Sequence, residues 1–115
     1  MTPELNLLVL RAADIAALVR FYAALGIEFN KEQHGSGPEH YSGKAGGVLL
    51  EIYPMSSGAA TTAVRLGFTV SSISTSIAAA VAAGGAIVSP LQDSSWGSRA
   101  VLTDPEGHKV ELLQC

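Results

Sequence analysis

Three charged residues stand out where the chain is otherwise apolar: Glu51, Arg65 and Glu111. A pair of carboxylates can divide general acid and base work or hold a cation, and a guanidinium offers a planar fork of donors to a carboxylate or an oxyanion. The two glutamates lie 60 positions apart, each inside an alternating apolar run, Val48–Tyr53 and Lys109–Leu113. Tyr53 shares the alternation of Glu51, and Lys109 that of Glu111. Trp96 and Arg99 flank Gly97 at the start of a strand-like run, where an indole would cap a binding groove or sit at an edge. The imidazoles are His34, His40 and His108. His40 opens a predicted strand and, pointed inward, would be a general acid or base. His34 beside Gly35-Ser36-Gly37 reads as loop surface, and His108, after the Asp104-Pro105-Glu106-Gly107 turn, as structural.

The elements that must position these residues are written twice. Leu5–Leu10 is strand-like, Asp14 is a candidate helix cap, Ile15, Leu18, Val19, Tyr22 and Leu25 recur at helical spacing, and Gly26 stops the helix. Arg65–Val70, Ser72, Ile73 to Val81 and Gly84 repeat the pattern. Asp14 to Ser72, Ile15 to Ile73 and Gly26 to Gly84 are each 58 positions. Strand-like runs follow each helix: 27–31, 40–44 and 48–53, then 86–91, 99–103 and 108–114, with Asp93-Ser94-Ser95 among the breaks. The chain therefore reads as an α+β fold of two tandem βαβββ modules, 4–54 and 63–115. The small, polar segment 55–62 is expected to be a flexible join.

Period-2 alternation puts Val48, Leu50 and Ile52 on one face and Leu49, Glu51 and Tyr53 on the other. Val110 and Leu112 likewise oppose Lys109, Glu111 and Leu113, and Leu66, Phe68 and Val70 oppose Arg65, Gly67 and Thr69. The uninterrupted apolar faces should pack under the helices, leaving Glu51, Arg65 and Glu111 on the opposite side. Leu7 occupies the first-module position equivalent to Arg65.

The 115 residues are 48% hydrophobic and 15% charged, with a net charge of −3, which suits one globular domain and excludes wholesale disorder. Without a Lys/Arg cluster there is no nucleic-acid footprint and no basic membrane-surface helix. The apolar runs are strand-sized, and the start lacks a basic n-region and an apolar h-region, so a cytoplasmic domain is expected. The single cysteine, Cys115, has no partner in the chain.

From Leu5 to Leu113 the chain resembles the vicinal oxygen chelate superfamily, the glyoxalase, bleomycin-resistance and extradiol dioxygenase group. The marks are Leu10-Arg11-Ala12-Ala13-Asp14, Phe21-Tyr22-Ala23-Ala24-Leu25-Gly26, Leu50-Glu51-Ile52-Tyr53, Ser95-Trp96-Gly97-Ser98-Arg99 and Asp104-Pro105-Glu106-Gly107-His108 with Lys109-Val110-Glu111-Leu112. The resemblance implies modules whose mixed sheets curve around a cleft, within a homodimer. It implies a divalent-metal site with one ligand from each of four strands, and those places fall on Leu7, Glu51, Arg65 and Glu111. Leucine has no donor atom, and a guanidinium stays protonated with no lone pair to offer, so no cofactor is expected and a metal centre is the weaker alternative. Arg65 is expected in the former metal region, paired with Glu51, Glu111 or both. The expected function is binding of a small organic molecule in the inter-module cleft, with Arg65, Leu7, Tyr53, His40, Trp96 and Arg99 as lining candidates. The alternative is a glyoxalase-like lyase or isomerase, or a dioxygenase-related enzyme, with Glu51 or Glu111 as base and Arg65 stabilising an oxyanion.

Overall fold

The first helix begins where its cap signal stands. Asp14 has extended backbone, and its carboxylate accepts the Ala17 N–H at 3.1 Å, which satisfies one of the orphan donors of the first turn. Gly26 and Gly84 end the two helices in the left-handed region (φ 110° and 101°), which a side chain would disfavour. Ser72 caps only by its backbone. Its hydroxyl donates to Thr75 Oγ1 at 3.0 Å instead of accepting a helix N–H, a difference from the expected cap.

A computed structural model describes residues 1–115 of the chain. The elements are β1 (Leu7–Ala12), α1 (Ile15–Ala24), β2 (Phe29–Glu32), β3 (His40–Ala45) and β4 (Val48–Pro54). A 3-10 turn at Met55–Ser57 follows, and then β5 (Arg65–Thr69), α2 (Ile73–Ala82), β6 (Ala86–Ser94), β7 (Gly97–Thr103) and β8 (Lys109–Gln114). The architecture is the α+β pair of tandem βαβββ modules read from the sequence. Each module has its own four-stranded mixed sheet, in the orders β1-β4-β3-β2 and β5-β8-β7-β6. The pairs β1–β4 and β5–β8 are parallel, since a helix crosses between them, and the other pairs are antiparallel. No helix is long and apolar enough to cross a membrane.

The apolar strand faces and both helices share one core. Leu10, Leu50 and Ile52 of the first sheet, Leu66, Leu102, Val110 and Leu112 of the second, and Leu18, Phe21 and Tyr22 of α1 all belong to it. Leu18, Phe21 and Tyr22 are fully buried, each such side chain contributing about 1.5–3 kcal/mol. Phe21 packs so closely on the start of β6 that a Cβ at Gly85 would meet its ring at 2.6 Å. Tyr22 meets Phe68 of β5, ring centroids 5.9 Å apart.

At the join, Thr61 Oγ1 accepts the Arg11 N–H at 3.0 Å and lies 2.7 Å from His108 Nε2. One local expectation changes. β6 runs on to Ser94, and the hairpin tip falls at Ser95-Trp96 instead of at Asp93-Ser94-Ser95.

Candidate functional site

The second-module side of the site is an ion cluster on the sheet face turned away from the core. Glu111 of β8 takes Arg65 Nε at 3.2 Å on one carboxylate oxygen and Arg99 Nε at 2.8 Å on the other, and the Arg99 terminal amino group bonds that second oxygen too. β5 and β7 flank β8, so alternation brings 65 and 99 to the same face as 111. Hydrogen bonds from Arg65 and then Arg99 hold the Glu111 carboxyl below its ordinary value. The three side chains are 32–52% exposed, so solvent screens the attraction.

Glu51 of β4 stands apart from that cluster. It makes no ion pair with Arg65, so of the two expected carboxylate partners Arg65 takes only Glu111. Glu51 faces His40 instead, with Oε2 at 3.9 Å from Nε2, and Glu32 approaches the same nitrogen at 3.4 Å. His40 is buried and stacks on Tyr53, with ring centroids 4.1 Å apart and planes 7° from parallel. Burial first, and then the Glu51 and Glu32 charges, push the Tyr53 hydroxyl pKa upward.

Both clusters lie on faces directed away from the shared core, and no groove is lined by both Glu51 and Glu111. Between the modules runs an open, apolar groove of about 310 Å³, lined by Leu8, Ala45, Leu50, Leu66 and Phe68 among others, with Arg65 as its charged member. A smaller groove of about 190 Å³ adjoins it through Gly67 and Phe68 and reaches Arg99 and Glu111. A Cβ at Gly67 would meet nothing within 4 Å, so this glycine leaves the junction open.

Of the other expected site residues, Leu7 is 45% exposed on the Glu51 side of β1, beside Leu49. Trp96 sits at the β6–β7 tip, where it is 85% exposed and lines none of the grooves of the chain. His108 is fully buried, with Nδ1 at 2.7 Å from Asp104, in agreement with a structural part. The sequence reading passed over Glu32. Its signal is the distance of eight residues to His40 across a Gly-containing loop, which makes the two a cross-strand pair closing a hairpin.

The four superfamily ligand positions do not fit an ion held by one ligand from each strand. Leu7 has no donor, Arg65 is already a cation bonded to Glu111, and Glu51 makes its contacts with a different set of side chains.

Residues 7–113 match the family described as Glyoxalase-like domain. No curated protein matches the chain. Among solved structures, a glyoxalase-related enzyme from Fulvimarina pelagi superposes with a TM-score of 0.76 at 21% identity, covering 99% of this chain and 89% of its own. A glyoxalase/bleomycin resistance protein/dioxygenase family enzyme from Burkholderia phytofirmans PsJN gives 0.76 at 17%, covering 97% and 98%. TnmS3, an antibiotic binding protein from Streptomyces sp. CB03234, gives 0.75 at 18%, covering 98% and 96%. The duplicated βαβββ fold and the match along almost its whole length together place the chain in the glyoxalase-like domain family of the vicinal oxygen chelate superfamily.

Proposed function

We propose that the protein binds a small oxygenated organic molecule in the groove between its modules, without a metal at the four superfamily positions. The observation that carries this reading is Arg65, which lines the apolar groove and bonds Glu111, while Arg99 bonds the same carboxylate in the adjoining groove. Two guanidiniums face one carboxylate, so one positive charge is left over to receive an anionic or carbonyl oxygen while the apolar walls take the ligand's body. The groove volume falls in the range of small-molecule sites, and a similar fold in an antibiotic binding protein agrees with a binding role. We also propose a homodimer. β6 is an edge strand with Ile87, Val88 and Leu91 exposed, and a second copy would cover it.

The test is a thermal-shift screen against a library of small aromatic acids and ketones, with chain mass by light scattering in the same buffer. At 100 times its Kd a ligand adds about 2.7 kcal/mol, several degrees in a domain of this size. Gly67→Leu, which fills the junction, should abolish the shift, and Arg65→Met should reduce it at least tenfold in affinity. A hit that both variants bind as well as the parent does would place the ligand elsewhere and end this reading. A monomeric mass would end the dimer proposal.

A further inference from the structure

The closing pair of the β2–β3 hairpin holds a second group of donors that the reading above does not use. Glu32, the last residue of β2, pairs across the ladder with His40, the first of β3, and the intervening loop returns His34 over them. One donor atom from each of Glu32, His34 and His40 lies within 4.8 Å of the other two. Glu32 Oε1 is 3.4 Å from His40 Nε2 and 3.8 Å from His34 Nε2. Two ligands of a tetrahedral zinc ion, with bonds of about 2.0–2.1 Å, stand about 3.3 Å apart. The Glu32–His40 edge already has that length. The other edges need His34 to close by a fraction of an ångström up to about 1.5 Å, and its side chain, 76% exposed on a loop, is free to do so.

The orientation of His40 adds an independent argument. Its Nδ1 is 3.2 Å from the carbonyl oxygen of Pro38, which can only accept, so in the neutral ring Nδ1 carries the proton and Nε2 the lone pair. A metal-ligating histidine is commonly set in this way by a backbone carbonyl. The lone pair then faces carboxylate oxygens of Glu32 and Glu51, acceptor toward acceptors, in a side chain 1% exposed. The Tyr53 hydroxyl, 3.4 Å away, belongs to a ring stacked parallel to the imidazole. It therefore sits over the ring instead of along the in-plane lone pair. A cation held by His40 Nε2 and Glu32 would replace this contact between acceptors with two bonds.

We propose that Glu32, His34 and His40 bind a divalent transition-metal ion at the base of the β2–β3 hairpin. Two imidazoles and a carboxylate suit zinc or a neighbouring first-row ion more than calcium or magnesium. The positions lie on β2, β3 and their loop, none of them among the four superfamily ligand places, and the inference does not rest on the groove reading.

The chelator-treated full chain is titrated with zinc alone, by calorimetry and by thermal shift. One equivalent per chain is expected, with Tm rising on addition. Glu32→Gln, at a half-buried side chain, and His34→Ala, at an exposed one, should keep the fold and each weaken zinc binding at least tenfold, since even groups that only orient a ligand cost 10–100-fold. No stoichiometric zinc binding by the parent chain would overturn the proposal. So would zinc binding that survives both variants and is lost in Glu111→Gln, which would put the ion at the superfamily positions.

Discussion

Glu111 is the residue whose charge organises the second-module side of the site. Arg65 and Arg99 hold its carboxyl below the ordinary value, so it stays ionised further into acid than a free glutamate. A depressed carboxyl contributes stability that is present above its unfolded value and is lost as pH falls through its folded one. The window therefore lies below the normal glutamate range, and because the cluster is solvated the effect on folding is small. An NMR titration of the Glu111 side-chain carbonyl should give a midpoint below that of a free glutamate, moving back toward it in Arg65→Gln. A midpoint unchanged by that substitution would mean that Arg65 does not hold the charge. Period-2 alternation, legible in the sequence, puts Glu51, Arg65 and Glu111 on sheet faces opposite the apolar ones, and within the second sheet it brings Arg65 and Glu111 to one face. It did not reveal that Arg99 joins Glu111 or that Glu51 turns to His40. Those contacts depend on cross-strand register, and on two modules that put their glutamates on separate outward faces.

At the scale of elements, the duplicated sequence pattern and the duplicated fold agree, yet the two copies are held unequally. Asp14 accepts a helix N–H and Ser72 does not. Asp14→Ala should therefore cost about 1 kcal/mol of unfolding free energy, the usual worth of a cap. Ser72→Ala should cost no more than about 0.5 kcal/mol, read from urea denaturation at constant m-value. Equal losses would contradict the geometry. The helix stops at Gly26 and Gly84 were readable because positive φ selects glycine locally. The full length of β6 was not, since it contains Pro90 and polar residues that end a strand by propensity. It persists as an edge strand with irregular register between Ile87 and Gln92, where a missing N–H is tolerated, and it is held by pairing with β7.

For the whole molecule, the Asp104–His108 turn does more than reverse the chain. Glu106 accepts the Ala13 and Asp14 N–H groups at 3.0 and 3.2 Å, across the module boundary. Asp104 takes the Tyr22 hydroxyl at 2.6 Å and His108 Nδ1 at 2.7 Å on one oxygen, while His108 Nε2 meets Thr61 of the connecting segment. First module, connector and second module are thus joined through one buried carboxylate. Burial by itself would raise the Asp104 pKa, but hydrogen bonds from His108 and then Tyr22 outweigh it, and the group lies below its ordinary value. The same contact, after burial, pushes the Tyr22 hydroxyl far upward, so it remains a donor at any physiological pH. Stability from Asp104 is then present above the unfolded aspartate value, about 3.9, and lost as pH falls through the lower folded one. Asp104→Asn leaves buried donors without a charged acceptor and should cost about 2–4 kcal/mol at neutral pH, against about 1–2 kcal/mol for Tyr22→Phe. Urea unfolding of both variants across pH supplies the check. The gap between parent and Asp104→Asn should hold from neutral pH down to about pH 4 and narrow only below it. A gap already closing near pH 6 would assign the pH dependence to a group other than this carboxylate.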